Sequence, residues 1–519
     1  MADPNFGRIT SITLENFKGI SEPVTIPLRP ITLLFGKNSA GKSTILQAML
    51  YARDILRTGE VNSDTVGLGG KAVDFGGFKR LVHRNGTNSA PEVKLRFDME
   101  IGGLISYRNI DQERKEYSED GLFESMNFES FNNTIDSILK NTNNIYVELV
   151  VKSDDSGLSK TCNIGIDGDQ IFSIGWDPAD AKRCNISINK NHPLAQKCGF
   201  LNEFTMSPEQ AKDLPISSNE NENWGQAFEV EDIIPSIGFP ISFRRRQIPV
   251  KDHEQYNKND YEDLLNKEFE DFLNRCIMRP LNILKNRLDP IRYIGPIREI
   301  LPRHYSPRYT QDNEQWASGL AAWDVLMNPK LNENKSKELL ENVNTALGKL
   351  QIDNELYKNE KGLVCLKEKS SNIEVDLCDI GVGISQIIPV VVGAIANDPN
   401  TDNRPSILAV EQPELHVHPA VQCELGDLFI RECKNQMFLI ETHSEHLILR
   451  ILRRILETNN KKIEEKSLAL TPDDLSILII SKKDNTTQID QMAVDKNGEI
   501  LTQWPGGFFE ERFTELYGI

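Results

Sequence analysis

The segment GKNSAGKS at residues 36–43 constrains the fold more than any other part of the chain. It fits the pattern of a phosphate-binding loop, which works only between a strand and a helix. The apolar run ITLLF ends just before it and predicts the strand, and the residues from Ser43 onward have helical spacing. In such a loop the backbone N–H groups surround phosphates, Lys42 reaches the β- and γ-phosphates, and Ser43 binds Mg²⁺. The sequence therefore predicts a site for ATP and Mg²⁺.

Two later segments end in residues that suit the same chemistry. Residues 406–414 read SILAVEQPE, in which a buried strand would deliver the carboxylate of Glu411 to the Mg²⁺ shell. Residues 438–444 read FLIETHS, in which an apolar strand leads to His443. A histidine at this end of a strand can hydrogen-bond a γ-phosphate. We therefore predict Glu411 as a metal ligand and His443 as a catalytic residue.

A third segment, DIGVGISQ at residues 379–386, precedes an apolar run with helical length. Gly381, Gly383 and Ser385 would lie at the start of that helix, where N–H groups and a hydroxyl favour an anion. An ordinary helix cap has the same composition, so the segment by itself leaves both interpretations open.

The last third of the chain alternates between strand and helix patterns, which indicates a mixed α/β sheet. Strands are predicted at 406–410, 436–441 and 475–480, and helices at 384–396, 420–433 and 444–457. Nearer the N-terminus, strands are predicted at 8–17, 93–100, 145–153 and 161–166. The spacing from Tyr261 to Leu288 predicts helices limited by Pro280, whereas residues 170–240 look irregular.

Composition excludes several classes of protein. With 39% hydrophobic and 26% charged residues, the chain is expected to be soluble and globular. It has no apolar run of the about 20 residues that span a membrane, and the N-terminus has no signal-peptide pattern. Its eight cysteines form no C-x-x-C pair, which indicates a reduced compartment and no zinc site. We therefore expect a cytoplasmic protein that does not bind a membrane.

The formal net charge of −18 opposes binding to nucleic acid. Nucleic acid would therefore have to use local basic patches, although each is more simply explained as a solvated face. The candidates are Arg244–Arg246, the group of Lys79, Arg80 and Arg84, and the group of Arg450, Arg453 and Arg454.

The order of these motifs resembles that of ABC-type ATPase heads of the RecF/SMC and OLD-like group. The phrases ITLENFKG, EQPELHVHP and IETHSEHL are especially similar to compact prokaryotic AAA-labelled ATPases of that group, and WPGGFFEERFTEL resembles a C-terminal segment of some members. The resemblance implies an α/β fold: an ABC-type head with a mixed β-sheet, a helical signature lobe and an inserted α+β region. The expected divisions are 1–100 and 291–519 for the two halves of the head, and 101–290 for the insertion.

The resemblance also implies roles for individual residues. Phe17 and Lys18 would lie near the nucleotide, Glu411 would be the Mg²⁺-linked acid, and His443 would be the switch histidine. The signature segment, Gly381–Gln386, would contact the γ-phosphate of another subunit, chiefly through Gly383 and Ser385, so that ATP is held between two heads of a homodimer or higher oligomer. The phosphate loop would consist of Gly36, Lys37, Asn38, Ser39, Ala40, Gly41, Lys42, Ser43 and Thr44.

Several ATPases that the chain resembles belong to anti-phage systems of the Septu and retron types, in which a separate nuclease is the partner. The resemblance therefore implies a switch ATPase that controls a nuclease or toxin effector. The alternative is a DNA-repair or chromosome-maintenance ATPase that grips DNA directly, for which the acidic charge is unfavourable. A fused nuclease is disfavoured, because about 75 residues follow His443.

The sequence departs from the family pattern at Gln412, where ABC heads usually have a glutamate that helps to activate water. An amide can orient water but cannot accept its proton. Hydrolysis is then slow, Glu414 substitutes as the base, or Gln412 was introduced as a trap. Residues 74–84 occupy the place of the glutamine loop but contain no Gln, which leaves His83 as a candidate there.

Other readings of single residues stay open. His416 with His418, and His443 with His446, have spacings that occur in metal sites, but no cysteine or third histidine is suitably placed. Arg298 and Arg303 follow the YIGP strand and would either act on phosphate in trans or hold a structural contact.

Overall fold

The computed structural model divides the chain into two compact units. The first comprises Met1–Lys18, Ala52–Asn62 and Leu81–Asp289, and the second comprises Gly19–Tyr51, Ser63–Arg80 and Pro290–Ile519. The structure describes residues 7–59, 61, 75–83, 91–104, 137–154, 157–176, 183–189, 191–197, 224–231, 271–303, 305–307, 313–329, 331–359, 363–396, 407–484 and 486–502. The three-part division at about residues 100 and 290 stays a prediction.

The strands are β1 (Arg8–Glu15), β2 (Val24–Pro27), β3 (Ile31–Gly36), β4 (Glu92–Glu100), β5 (Asn144–Asp154), β6 (Gly157–Ile166), β7 (Asp169–Trp176), β8 (Arg183–Asn189), β9 (Trp224–Glu231), β10 (Arg292–Ile294), β11 (Asn354–Lys358), β12 (Val364–Glu368), β13 (Glu374–Val375), β14 (Ile407–Glu411), β15 (Met437–Glu441), β16 (Leu475–Lys483) and β17 (Thr486–Met492). The helices are α1 (Lys42–Thr58), α2 (Phe78–Leu81), α3 (Pro193–Lys197), α4 (Arg279–Leu288), α5 (Leu320–Leu326), α6 (Glu333–Lys349), α7 (Val382–Ile395), α8 (Pro419–Glu432) and α9 (Glu445–Asn459).

The first unit contains an antiparallel sheet in which β1, β4, β5, β6, β7, β8 and β9 follow one another as neighbours. Burial alternates along β4, so one face of this strand is buried. The strands predicted near 8–17, 93–100, 145–153 and 161–166 are confirmed as β1, β4, β5 and β6.

The prediction that residues 170–240 are irregular was wrong for the described part of that region. Strands β7, β8 and β9 lie there and extend the sheet. The apolar signal of β8 is short: its sequence RCNISIN has two isoleucines, Ile186 and Ile188, and both are buried. Pairing with neighbouring strands, which a local pattern does not reveal, makes this segment a strand.

The helix at the end of the first unit also differs from expectation at Pro280. Instead of breaking there, the chain passes from a π-helical turn, Asn274–Met278, directly into α4, with Pro280 at its second position. A proline has no N–H to donate and its ring collides with the preceding turn of a regular α-helix. The wider π turn just before it accommodates the ring.

The second unit is built on a sheet with the order β10-β14-β15-β3-β16-β17. All its neighbouring strands are parallel except β17, which is antiparallel to β16. The residues of β3 before Gly36 are all buried, as expected for a central parallel strand. The core of this unit combines these strands with the apolar faces of α7, α8 and α9. The carboxyl ends of β14, β15 and β3 therefore meet at one edge, where ligands bind in open α/β sheets.

The elements predicted for the last third of the chain are confirmed. They correspond to α7, β14, α8, β15, α9 and β16, with no end shifted by more than three residues. Helix α9 begins where Ser444 Oγ accepts a hydrogen bond of 3.0 Å from the Leu447 N–H. Within the described residues, none of the helices combines the length and apolar character needed to cross a bilayer.

Candidate nucleotide-binding site

The phosphate loop connects β3 to α1, in the strand–loop–helix context that its sequence predicts. Gly36 and Gly41 have φ angles of 145° and 108°, and Ser39 is also left-handed at 62°. A side chain at Gly36 would overlap the carbonyl oxygen of Ile480 on β16. Glycine is therefore required there, both for its backbone conformation and for the close approach of β16.

The Lys42 ammonium is buried at the mouth of the loop. Its Nζ donates hydrogen bonds of 2.9 Å and 3.2 Å to the carbonyl oxygens of Gly36 and Lys37. It also lies 3.4 Å from Glu441 Oε1, and only 3% of the lysine side chain is exposed. These contacts fix the cation at the start of α1, where the helix dipole also favours an anion.

Two carboxylates lie beside each other at the edge of the sheet. The parallel pairing of β14 with β15 puts Glu411 opposite Glu441. Ser43 Oγ donates a 3.0 Å hydrogen bond to Glu441 Oε2, and the Tyr293 hydroxyl donates one of 3.0 Å to Glu411 Oε1. Burial raises the pKa of Glu411, the charge of Glu441 raises it further, and hydrogen bonds from Tyr293 and Ser43 partly oppose this.

These residues fit a Mg²⁺ ion. Magnesium prefers oxygen ligands, and the site offers the Ser43 hydroxyl with the carboxylates of Glu411 and Glu441. The raised pKa of Glu411 reflects burial and repulsion that a cation would relieve. Ser43 and Glu411, the predicted metal ligands, both lie next to Glu441, and their role toward a metal stays a prediction.

Gln412 is held in an unusual backbone conformation. Its φ angle is 46°, and its N–H donates a 2.7 Å hydrogen bond to the carbonyl oxygen of Glu441. Arg298 donates through Nη2 to the carbonyl oxygens of Glu411 and Gln412, at 2.6 Å and 3.2 Å. A left-handed residue other than glycine costs about 1–2 kcal/mol, so these bonds hold the turn that follows β14.

Glu414 positions the main chain of His443. Its Oε1 accepts a 2.7 Å hydrogen bond from the His443 N–H, whereas Oε2 is buried without a hydrogen-bond partner among the described residues. Burial raises the pKa of Glu414. Burial and the charge of Lys42 lower the pKa of His443, so its imidazole is neutral at pH 7, and its Nε2 also has no described partner. A neutral imidazole beside Lys42 can donate to a phosphate oxygen.

The signature segment contacts the loop that follows β14. A side-chain carbon at Gly383 would lie 2.7 Å from the carbonyl oxygen of His416, so the close approach requires glycine. Gln386 and Arg298 exchange two hydrogen bonds, 2.7 Å from Nε2 to the Arg298 carbonyl and 3.2 Å from the Arg298 N–H to Oε1. Arg298 is buried, and because it also binds the carbonyl oxygen of Glu411 it links the signature segment to the end of β14.

Ser385 does not lie at the surface of this segment. It is 2% exposed, and its hydroxyl donates a 2.8 Å hydrogen bond to the carbonyl oxygen of Val382. Gly381 and Val382 are the exposed residues at the helix start. A phosphate approaching from outside would therefore meet backbone N–H groups before the Ser385 hydroxyl.

Three residues expected near the nucleotide belong to the first unit. Phe17 is fully buried and forms an isolated β-bridge with Val82. The His83 ring Nδ1 lies 2.8 Å from the carbonyl oxygen of Lys18, whose N–H donates to Leu81. Burial lowers the pKa of Lys18. Their roles toward the nucleotide stay predictions.

The alternative readings have less support in the structure. His418 caps α8, with its ring Nδ1 accepting from the Ala420 N–H, and neither histidine pair joins a cluster of three metal ligands among the described residues. Arg303 is exposed and forms ion pairs with Asp376 and Asp379 at 2.7 Å and 2.9 Å.

In one of the three basic patches acidic residues neutralise the arginines, and the other two lie partly or wholly outside the described residues. Arg450 and Arg454 bind the buried Asp427 at 2.6 Å, and Arg453 binds Glu457 at 2.7 Å. These acids offset the charge that a nucleic-acid contact would need. Lys79 and Arg80 are exposed, whereas Arg84 and Arg244–Arg246 lie outside the described residues.

The sequence analysis missed three residues of the site. Glu441 ends β15 as Glu411 ends β14, and this shared position was the available signal. Tyr293 remains protonated because burial and Glu411 raise its pKa. Thr487 of β17 donates a 3.1 Å hydrogen bond to the carbonyl oxygen of Ala40 in the phosphate loop, a contact across 447 residues that no local pattern encodes.

Comparison with known families is consistent with this geometry. The family model described as AAA ATPase domain matches residues 8–448. The chain belongs to this AAA ATPase family. A second model, described as a protein of unknown function (DUF3696), matches residues 470–517. None of the curated proteins compared with this AAA ATPase is similar to it in sequence. The expected ATPase head with its mixed sheet is thereby confirmed.

Solved structures of SMC heads are distantly similar to this AAA ATPase. An SMC head bound to the C-terminal winged-helix domain of ScpA has 11% identity and a TM-score of 0.41, covering 94% of this chain and 98% of that one. The SMC head domain from Thermotoga maritima has 9% identity and a TM-score of 0.36, covering 94% and 100%. An SMC head from Pyrococcus furiosus with an extended coiled coil, bound to the C-terminal domain of ScpA, has 12% identity and a TM-score of 0.39, covering 94% of this chain and 97% of that one. Similarity at this distance carries no information on ligands or partners.

Proposed function

We propose that this AAA ATPase binds ATP with Mg²⁺ in the second unit and hydrolyses it slowly. The observation that carries the proposal is the convergence of Lys42, Ser43, Glu411 and His443 at one sheet edge. The loop N–H groups and Lys42 would bind the phosphates. Bound Mg²⁺ would neutralise charge that develops on the transferred phosphoryl group.

The residues of the chain would then act mainly by positioning. Ser43 and Glu411 would hold the cation, and neutral His443 would donate a hydrogen bond to the γ-phosphate. Gln412 follows Glu411 in a turn whose backbone carbonyls bind Arg298, and its side-chain amide would orient the attacking water. An amide does not accept a proton, which supports slow turnover. Glu414 is a weaker candidate for the base, because Oε1 is occupied by His443 and Oε2 is buried.

The proposed output is ATP-dependent closure of a homodimer that controls a separate nuclease or toxin effector in defence against phage. Closure is supported by the start of α7, where Gly381 and Val382 are exposed and the backbone N–H groups of a helix N-terminus favour an anion. The effector role is supported by the resemblance to ATPases of anti-phage systems. The net charge of −18 and the acid-paired arginines of α9 favour this role over direct gripping of DNA.

The Lys42→Ala variant tests the ATP site. The substitution removes the side-chain cation that can reach the γ-phosphate, so calorimetry should measure ATP binding that is weaker by about tenfold or more, or about 1.4 kcal/mol. An exposed lysine of the same unit provides the control: Lys349→Ala should leave the affinity unchanged. Unchanged affinity in folded Lys42→Ala protein would contradict the proposal.

Two further measurements test the output. In cells that carry the protein with its neighbouring genes, Lys42→Ala should abolish protection in a plaque assay. Purified protein should bind duplex DNA no better with ATP than without it at about 0.15 M salt, where surface charges are screened. Tight, ATP-dependent DNA binding without any effect on phage would instead favour the repair or chromosome-maintenance function.

A further inference from the structure

We infer that Glu441 is a second carboxylate of the cation site, so that the divalent ion bound with ATP is held by Glu411 and Glu441 together. The inference rests on the proposed function and extends it to a residue for which the motifs give no role. The ion would be a hard divalent cation, because the oxygens offered come from two carboxylates and one hydroxyl.

The sheet itself brings the two acids together. Strands β14 and β15 are parallel neighbours, and their last residues, Glu411 and Glu441, are register partners. Ser43 Oγ, the expected metal ligand of the phosphate loop, donates a 3.0 Å hydrogen bond to Glu441 Oε2. Glu441 thus directly contacts the group that a metal would use, and its side chain is only 11% exposed.

The balance of charge requires a cation when ATP is present. In the described structure Glu441 Oε1 lies 3.4 Å from Lys42 Nζ. When Lys42 turns its charge to the phosphates, Glu441 loses part of its compensation and faces additional negative charge. A poorly solvated carboxylate in that position is costly unless it is paired or bound to a metal.

A competing explanation is that Glu441 only occupies Lys42 and Ser43 until ATP arrives. The two explanations differ in how ATP affinity depends on the metal. A ligand of the ion strengthens ATP binding only when the ion is present. An occupant of Lys42 weakens ATP binding by the same factor with and without the ion.

The experiment compares the affinity for a non-hydrolysable ATP analogue in Mg²⁺ and in EDTA, in the wild type and in Glu441→Gln. The amide keeps the shape and removes the charge. We expect the ratio of the two affinities to fall by about tenfold or more, equivalent to about 1.4 kcal/mol of lost coupling between metal and nucleotide. Glu465→Gln is the control, since Glu465 pairs with Arg431 and Lys349, and should keep the wild-type ratio.

Manganese gives a readout independent of nucleotide affinity. Electron paramagnetic resonance should detect Mn²⁺ bound to the wild-type complex with the analogue, and about tenfold weaker Mn²⁺ binding in Glu441→Gln. An equal change of nucleotide affinity in Mg²⁺ and EDTA, with unchanged Mn²⁺ binding, would overturn the inference but leave the ATP site standing. Failure of the wild type to bind the analogue would overturn the proposed function and this inference with it.

Discussion

At the scale of single residues, the candidate nucleotide-binding site depends on the charge of some residues and on the small size of others. Lys42 is held by two loop carbonyls and Glu441, and Gly36 permits β16 to approach. Gln412 is the exception, because its neutral amide stands where a proton acceptor is expected. Its backbone is fixed by Glu441 and Arg298, so a substitution there changes chemistry rather than the turn.

Replacing Gln412 with Glu should raise ATP turnover. The two side chains have nearly the same size, and either residue bears the same strain at this left-handed backbone position. Any change in turnover therefore comes from the proton acceptor that Glu adds. A positioned general base contributes about 10²–10⁴-fold, and we expect a gain toward the lower end of this range in a steady-state phosphate-release assay. ATP affinity should stay unchanged. If turnover stays constant in Gln412→Glu while Glu414→Gln abolishes it, Glu414 is the base.

At the scale of elements, the loop after β14 is anchored to two neighbouring segments. Arg298 ties its carbonyls to the signature segment, and Glu414 ties it to the main chain at His443 after β15. These bonds explain how the short β14 strand presents its end residues in fixed positions. They also bury Glu414, whose carboxylate therefore adds a pH dependence to stability.

Glu414 should make the protein less stable as the pH rises. Its pKa is raised in the folded state by burial, so the folded protein binds this proton more tightly than the unfolded chain does. The stabilisation is complete below the ordinary glutamate pKa and is lost as the pH rises through the folded pKa. Because Gln mimics the protonated acid, the Tm of Glu414→Gln minus that of the wild type should increase by about 2 °C or more between pH 4 and pH 8.

Glu465→Gln provides a control of opposite sign. A hydrogen bond from Arg431 lowers the pKa of Glu465 to about 2 in the folded protein. The ionised carboxylate therefore stabilises the protein at pH values above the ordinary glutamate pKa. The effect should be small because the pair is partly exposed and screened. A Tm difference for Glu414→Gln that is constant with pH in differential scanning calorimetry would contradict the burial effect.

At the scale of the whole molecule, the start of α7 is the surface on which the dimer proposal depends. Val382 is 48% exposed, and the neighbouring loop exposes Ile297 and Ile300 at 80% and 44%. Ser385, expected from its sequence position to face a partner, is buried instead. A charged residue at 385 would therefore test core packing, whereas one at 382 tests a contact between subunits.

The Val382→Arg variant should prevent ATP-dependent dimerisation. A bulky cation at an apolar contact adds desolvation cost and steric conflict, whereas the phosphate loop is untouched. Analytical ultracentrifugation should find a dimer for the wild type with the ATP analogue and a monomer for Val382→Arg, with nucleotide affinity retained within about twofold. Leu449→Arg is a matched control, since Leu449 is equally exposed at 48% on α9. Normal dimerisation of Val382→Arg would exclude this surface.

The sequence by itself determined the elements whose signals are local. The run from β3 through the phosphate loop to α1 is encoded by consecutive residues, because glycines, the loop lysine and helical spacing all act within one short segment. The strands and helices from α7 to β16 were likewise predictable from apolar runs and spacing. Glu411 and His443 could be predicted as site residues because Glu411 ends one such strand and His443 follows another.

Tertiary structure decided what depends on pairing between distant segments. Strands β7 to β9 pair side by side at one end of the sheet, and this pairing is not visible in the local sequence pattern. Glu441 became a candidate ligand only when the parallel register placed it beside Glu411, and Thr487 reached the phosphate loop only through the order of the sheet. The burial of Ser385 likewise follows from packing of α7 in the core. Hydrogen bonds and charge pairs act over a few ångströms, so spacing along the chain cannot reveal partners that folding brings together.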